Sequence, residues 1–313
     1  MKPLPVRTIF GKEVIRLAEF YDYIAVCADT KCCSFEDFGD IYPERQISIG
    51  IAEQNLIGVS SGLASCGHKV VLSTYSVFAT MRACEQLRTY ICHPRHDVMV
   101  MGTHGGLQTG SEGVSHTAIE DIAILRALPN MTIIQPSDGV SARVLARKAL
   151  EFRGPLYVRL PFDGVNDIHD ESTYTAEIGK ANWLRHRGTA LSLITTGIML
   201  ERTLKAADAL AQRGIQAQVL EIHTLKPIDR QAIVETAAQT GAVLTVEDHS
   251  VIGGLGGAVA EVLSTTLPTP MRMIGIQDQF ARSGDAESLY RLNHMTIEDI
   301  IQTAESLVAG KKP

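Results

Sequence analysis

Four stretches of this chain gather side chains able to do chemistry. In the first, "QISIGIAEQNLIGVSSGLASC", Glu53 falls where an extended pattern over 46–51 gives way to a helical one from 52. Open α/β sheets place their chemistry at such junctions. A carboxylate kept there in a partly dry crevice can hold or move a proton, although an acid in a first helical turn also serves simply to offset the helix dipole. The second stretch is "GTHGGLQTGSEGVSHTAIED", a glycine-rich loop over 102–121 that delivers His104, Glu112, Ser115 and His116. Glycine lets backbone approach a ligand, and polar side chains on a loop at a strand's carboxyl end suit hydroxyl groups. The spacing of its histidines and acid matches no standard metal-ligand pattern.

The third stretch is "STYSVFATMRACEQLRTYI", where Tyr75 and Phe78 follow a strand pattern closely enough to stack on a planar ligand or to pack as ordinary core. The fourth, "VIGGLGGAVAEVL", sets glycines before a helix. It lacks the first-strand position and the acid about 20 residues further on that a dinucleotide site needs, which favours close helix–sheet packing over a phosphate cradle.

These residues need a scaffold, and the periodicity supplies one. Strand patterns over 24–29, 46–51, 69–75, 97–104, 131–138 and 155–161 alternate with helical spacing over 52–66, 78–92 and 119–128. A polar, turn-rich stretch follows, and then strands over 190–197, 217–225, 242–249 and 271–278. Thr296 and Asp299 are spaced as a helix cap, and Gly310 is placed to end that helix. The expectation is an α/β chain of two domains, each a mostly parallel sheet flanked by helices, over 1–165 and 186–313 with a linker at 166–185.

Bulk properties narrow the function. A net charge of −6 gives no basic field for duplex nucleic acid. No apolar run reaches the ~18 residues that span a bilayer, and the first residues lack the apolar core of a signal peptide, so a cytoplasmic protein is expected. Cys27, Cys32, Cys33, Cys66, Cys84 and Cys92 form no CxxC pair and read as free, mostly buried thiols.

Together the segments resemble the transketolase family of thiamine-diphosphate enzymes. The resemblance is carried by "GIAEQN", "STYSVF" followed by "RACEQLR", "THGGLQTGSEGVSH", "EDIAILRALPNMTIIQPSD" and "EDHSVIGGLGGAVAEVL", collinear over most of the chain. It covers the family's pyrimidine-binding and C-terminal domains. The Gly-Asp-Gly motif through which the family's other half holds the cofactor diphosphate and its divalent metal, Mg²⁺ or another, is not found in this sequence. Beginning at Met1, the chain therefore reads as the smaller subunit of a split transketolase. The partner implied is an N-terminal subunit bearing Gly-Asp-Gly, in an assembly with two copies of each chain.

By that resemblance Glu53 hydrogen-bonds a ring nitrogen of the cofactor's aminopyrimidine. Phe78 and Tyr75 stack on the pyrimidine, although the helix after them is one residue longer than in some relatives. Asp29 stands near the thiazolium side. His104, Glu112 and His116 meet sugar hydroxyls, with the two histidines and Glu53 catalytic, and a two-carbon ketol unit passes from a ketose to an aldose. Two departures stand out: Glu112 replaces a common aspartate, and Phe162 replaces a common phosphate-binding arginine, leaving Arg7 to match another phosphate position. They imply a preferred substrate other than the usual pentose-phosphate pair. The alternatives are a 1-deoxyxylulose-5-phosphate synthase-like subunit, a 2-oxo acid dehydrogenase β-like subunit, and a non-catalytic regulatory partner.

Overall fold

The computed structural model describes residues 3–28 and 35–310, so Asp29, Cys32 and Cys33 lie outside the described residues. Twelve strands form two sheets among these residues: β1 (Ile24–Cys27), β2 (Gln46–Ser48), β3 (Val70–Tyr75), β4 (Val98–Thr103), β5 (Thr132–Ile134), β6 (Leu156–Arg159), β7 (Asn182–Arg185), β8 (Leu191–Thr195), β9 (Ala217–Glu221), β10 (Thr224–Lys226), β11 (Val243–Ser250) and β12 (Met271–Ile276). The first sheet runs β10-β5-β6-β4-β3-β1-β2 and the second β12-β11-β8-β9-β7. Only β10 and β7, each at a sheet edge, pair antiparallel. The expected fold class is thus found: two mostly parallel sheets covered by helices.

The first sheet is buried on both faces, and side chains alternate between two cores with the period of two that a strand imposes. Val71, Met99 and Val158 face one way, against Phe10, Val14 and Leu17 of helix Val6–Leu17 and Leu145 and Leu150 of helix Gly139–Glu151. Val70, Leu72, Val98 and Val100 face the other, against Leu56, Ile57, Leu87 and Ile91. Each such side chain contributes about 1.5–3 kcal/mol of transfer free energy. This second core runs on without a break through Ile222, Leu225, Val259 and Val262, so the two halves share it.

The strand expected over 217–225 is divided. After β9 the chain leaves its sheet, and β10 joins the edge of the first, pairing Thr224 with Ile134 and Lys226 with Ile133. The Lys226 ammonium donates to the Arg126 carbonyl at 2.9 Å, and the Gln135 amide donates to the His223 carbonyl at 2.9 Å. Such pairing is set by contacts about 90 residues apart, which the local pattern does not contain.

The glycine stretch before helix Leu255–Thr266 proves to be a packing device. The Leu255 and Gly256 amides donate to the Glu247 carboxylate at 2.6 and 2.7 Å, so the chain's own acid fills the helix N-terminus. A Cβ on Gly254 would lie 2.1 Å from Glu247 Oε2, and one on Gly256 would lie 2.7 Å from Met273 Sδ. Burial pushes the Glu247 carboxyl up to about 7, against the pull of these two amides.

Thr296 and Asp299 form the expected reciprocal cap. Among the described cysteines Cys27 and Cys92 are buried, Cys84 is half-buried and Cys66 is exposed. No helix among the described residues is long and apolar enough to cross a membrane.

Candidate active site

Strands β2, β1, β3, β4 and β6 lie side by side and parallel, so the segments that follow their carboxyl ends converge on one rim. Glu53 is the first residue of helix Glu53–Ser65 and only 1% exposed. Arg82 Nη1 donates to its Oε2 at 2.9 Å. Its Oε1 is buried without a hydrogen-bond partner among the described residues. A buried acceptor left without a donor costs about 1–3 kcal/mol, which a ligand N–H would recover.

Aromatic rings stand beside it. Tyr75 ends β3, and Phe78 begins a π-helical turn, Phe78–Arg82, marked by the Ala83 amide reaching back to the Phe78 carbonyl. A π turn takes one more residue than an α turn. Their ring centroids are 5.6 Å apart and nearly perpendicular. Tyr75 also meets His104 at 4.0 Å and His116 at 5.4 Å, and Phe78 meets His116 at 5.2 Å. Phe162 joins through His104 at 4.9 Å, and Arg7 lies over its ring at 4.5 Å while donating to its carbonyl at 2.7 Å.

The loop after β4 holds both histidines. His104 is 2% exposed and takes φ of 64°, a left-handed backbone unusual outside glycine and typical of constrained sites. Its Nδ1 pairs with Thr103 Oγ1 at 2.8 Å, and its Nε2 faces Glu112 Oε1 at 3.7 Å. His116 is half-buried and pairs with Ser115 Oγ at 2.9 Å. The structure therefore brings Glu53, Tyr75, Phe78, His104, Glu112, His116 and Arg7 onto one rim, while Asp29 lies outside the described residues.

Burial, with the charges of Arg7 and His116, pushes the His104 imidazole down to about 3, so it is neutral at physiological pH. A histidine that refuses a proton when folded and accepts one when unfolded gives stability present in full above its unfolded pKa and lost as pH falls through its folded pKa. Buried His249, lowered to about 4, adds to the same slope. Urea unfolding should show stability falling as pH drops below about 6.5. The fall should be shallower in His104→Asn, whose side chain tolerates the left-handed backbone. An unchanged slope would contradict the assignment.

The spacing of the sequence does not disclose the network that holds the rim. Asp121 is fully buried, and Arg159 Nε donates to its two oxygens at 2.8 and 3.1 Å. The Tyr157 hydroxyl lies 2.7 Å from Asp121 Oδ2 and 2.8 Å from Ser76 Oγ. Although burial works to raise it, the Arg159 guanidinium holds Asp121 below the usual carboxylate range. From the other half, the Leu107 amide donates to Asp248 at 3.0 Å and the Ile122 amide to His249 Nε2 at 3.1 Å. Gly106, at φ of 89°, is required there: a Cβ would sit 2.2 Å from Asp248 Oδ2.

Comparison with known proteins bears on the two domains. Residues 3–164 match the transketolase pyrimidine-binding domain, and residues 179–300 match the transketolase C-terminal domain. The chain belongs to the transketolase family. It is 40% identical to a putative transketolase C-terminal section of Methanocaldococcus jannaschii, over 94% of this chain and 93% of that one. It is 36% identical to a 6-deoxy-6-sulfo-D-fructose transketolase subunit of a Clostridium species, over 92% and 89%. Its fold matches a solved split-gene transketolase, described as an inactive beta4 tetramer, with a TM-score of 0.91 at 39% identity, covering 99% and 100% of the two chains. This transketolase-type subunit therefore comprises the family's pyrimidine-binding and C-terminal domains, with the candidate rim in the former.

Proposed function

We propose that this chain is the half of a divided transketolase that holds the pyrimidine end of thiamine diphosphate together with the sugars. A separate N-terminal subunit bearing Gly-Asp-Gly holds the diphosphate through Mg²⁺, and two copies of each form the cytoplasmic enzyme with sites between chains. We take its domains as 1–165 and 186–313, joined by 166–185.

The observation that carries this reading is the Glu53 carboxylate, buried with one oxygen on Arg82 and the other without a donor among the described residues, beside the Tyr75 and Phe78 rings. An aminopyrimidine offers a flat face to those rings and N–H donors to that oxygen. Glu53, Phe78 and Tyr75 would hold it. When bound, thiamine diphosphate supplies the carbon–carbon bond chemistry that moves a two-carbon ketol unit from ketose to aldose. Glu53 accepts a hydrogen bond from the ring nitrogen and holds a proton there. Neutral His104, its Nδ1 engaged by Thr103, turns Nε2 to a sugar hydroxyl, and Glu112 and His116 take others.

Phe162 removes one cationic contact from the substrate end, and the Arg7 guanidinium over its ring supports Arg7 as the contact for an anionic sugar terminus. We read the preferred pair as other than xylulose 5-phosphate and ribose 5-phosphate; a relative that handles a sulfonated sugar supports this. The test is a substrate panel on the complex purified with the tagged chain. Arg7→Gln should raise KM about tenfold for sugars ending in phosphate or sulfonate and leave neutral sugars nearly unchanged, since a hydrogen bond to a charged group is worth about 1.5–3 kcal/mol. Equal losses on both, or the pentose-phosphate pair as the best substrates, would count against the reading.

A further inference from the structure

Among the described residues, Arg82 makes both of the contacts that the rim offers a pyrimidine. Its Nη1 donates to Glu53 Oε2 at 2.9 Å, and its Cζ lies 4.2 Å from the centroid of the Phe78 ring. A guanidinium is flat, delocalised and edged with N–H donors. A ring-protonated aminopyrimidine shares all three properties, so a ligand that stacks on Phe78 and bonds Glu53 competes with Arg82 for both groups.

The electrostatics give a reason for such a group. A buried carboxylate with no partner is costly, so the fold keeps a counter-charge beside Glu53. The pairing is incomplete, because Glu53 Oε1 has no donor among the described residues. A ligand with more than one donor can therefore satisfy the carboxylate better than Arg82 does. The guanidinium is also free to leave: its side chain is 49% exposed, while its carbonyl accepts from Gln54 Nε2 at 3.1 Å and fixes the backbone.

We propose that Arg82 is a built-in stand-in for the aminopyrimidine. It neutralises Glu53 while no cofactor is bound and swings out when the cofactor enters, so the ligand-free chain is held in a closed, low-affinity state. The proposal rests on the reading of Glu53 and Phe78 as pyrimidine contacts.

The test is calorimetric titration of thiamine diphosphate with Mg²⁺, and separately of 4-amino-2-methylpyrimidine, into the complex of this chain with its partner. Wild type, Arg82→Met and Arg82→Lys are compared. Removing the stand-in leaves Glu53 unpaired until the pyrimidine arrives, so Arg82→Met should tighten both ligands by about tenfold. Arg82→Lys keeps the charge without the flat head and should fall between; if the Met variant does not fold, the Lys variant decides. Binding by wild type that is unchanged or weakened in the variants would overturn the stand-in while leaving the pyrimidine reading intact. Absence of binding in all three would overturn both.

Discussion

Glu53→Gln should lower the turnover of the assembled enzyme by about 10²–10⁴-fold, the range expected when a positioned proton-handling group is removed. Glutamine keeps the shape and removes the charge, so the ring nitrogen loses the anionic acceptor that holds its proton. KM for the sugars should change little, because the groups assigned to the hydroxyls are His104, Glu112 and His116. Folding should survive as well: Arg82, freed from its partner, is half exposed and can turn to water. Single-turnover kinetics at saturating cofactor separates this loss from weaker binding. Turnover within a few-fold of wild type would remove Glu53 from the chemistry.

The largest stability effect should come from Asp121→Asn. Arg159 and Asp121 are both inaccessible to water, and Arg159 also donates to the Ala118 carbonyl at 3.0 Å. Neutralising the acid leaves a buried guanidinium without the carboxylate that bonds it, at a cost of about 3–5 kcal/mol. For a chain of this size that lowers Tm by roughly 10 °C. A buried pair replaced as a pair costs far less than one that is broken, so Asp121→Asn with Arg159→Met should recover more than half of the loss. A double variant as unstable as the sum of the two single ones would show that the pair is not coupled. Because Gly105 packs against the Arg159 side chain, the single variant should also loosen the loop carrying His104.

What the sequence made legible were features with local signals. Glu53 stood out because an extended run meets a helix there, and His104 and His116 because glycines mark their loop. The alternation of strand and helix gave both sheets. The unseen features depend on contacts between distant residues. Nothing near Arg82 announces that it reaches Glu53, 29 positions away. Nothing near Asp121 announces that Arg159, 38 positions on, closes over it. Asp248 looked like part of a strand, yet it holds the Leu107 amide 141 positions earlier. The division of 217–225 into β9 and β10 is of the same kind, since the edge of the first sheet decides it and no residue in the run signals it.

We propose that this chain completes a thiamine-diphosphate site which it cannot form alone. The most direct test is ketol transfer by the purified chain with thiamine diphosphate and Mg²⁺, measured first alone and then with the stoichiometric partner that co-purifies with it. No turnover is expected from the chain alone, and sustained transfer from a ketose once a partner bearing Gly-Asp-Gly is added. Turnover by the chain alone, or a complex that neither binds the cofactor nor acts on any ketose, would contradict it.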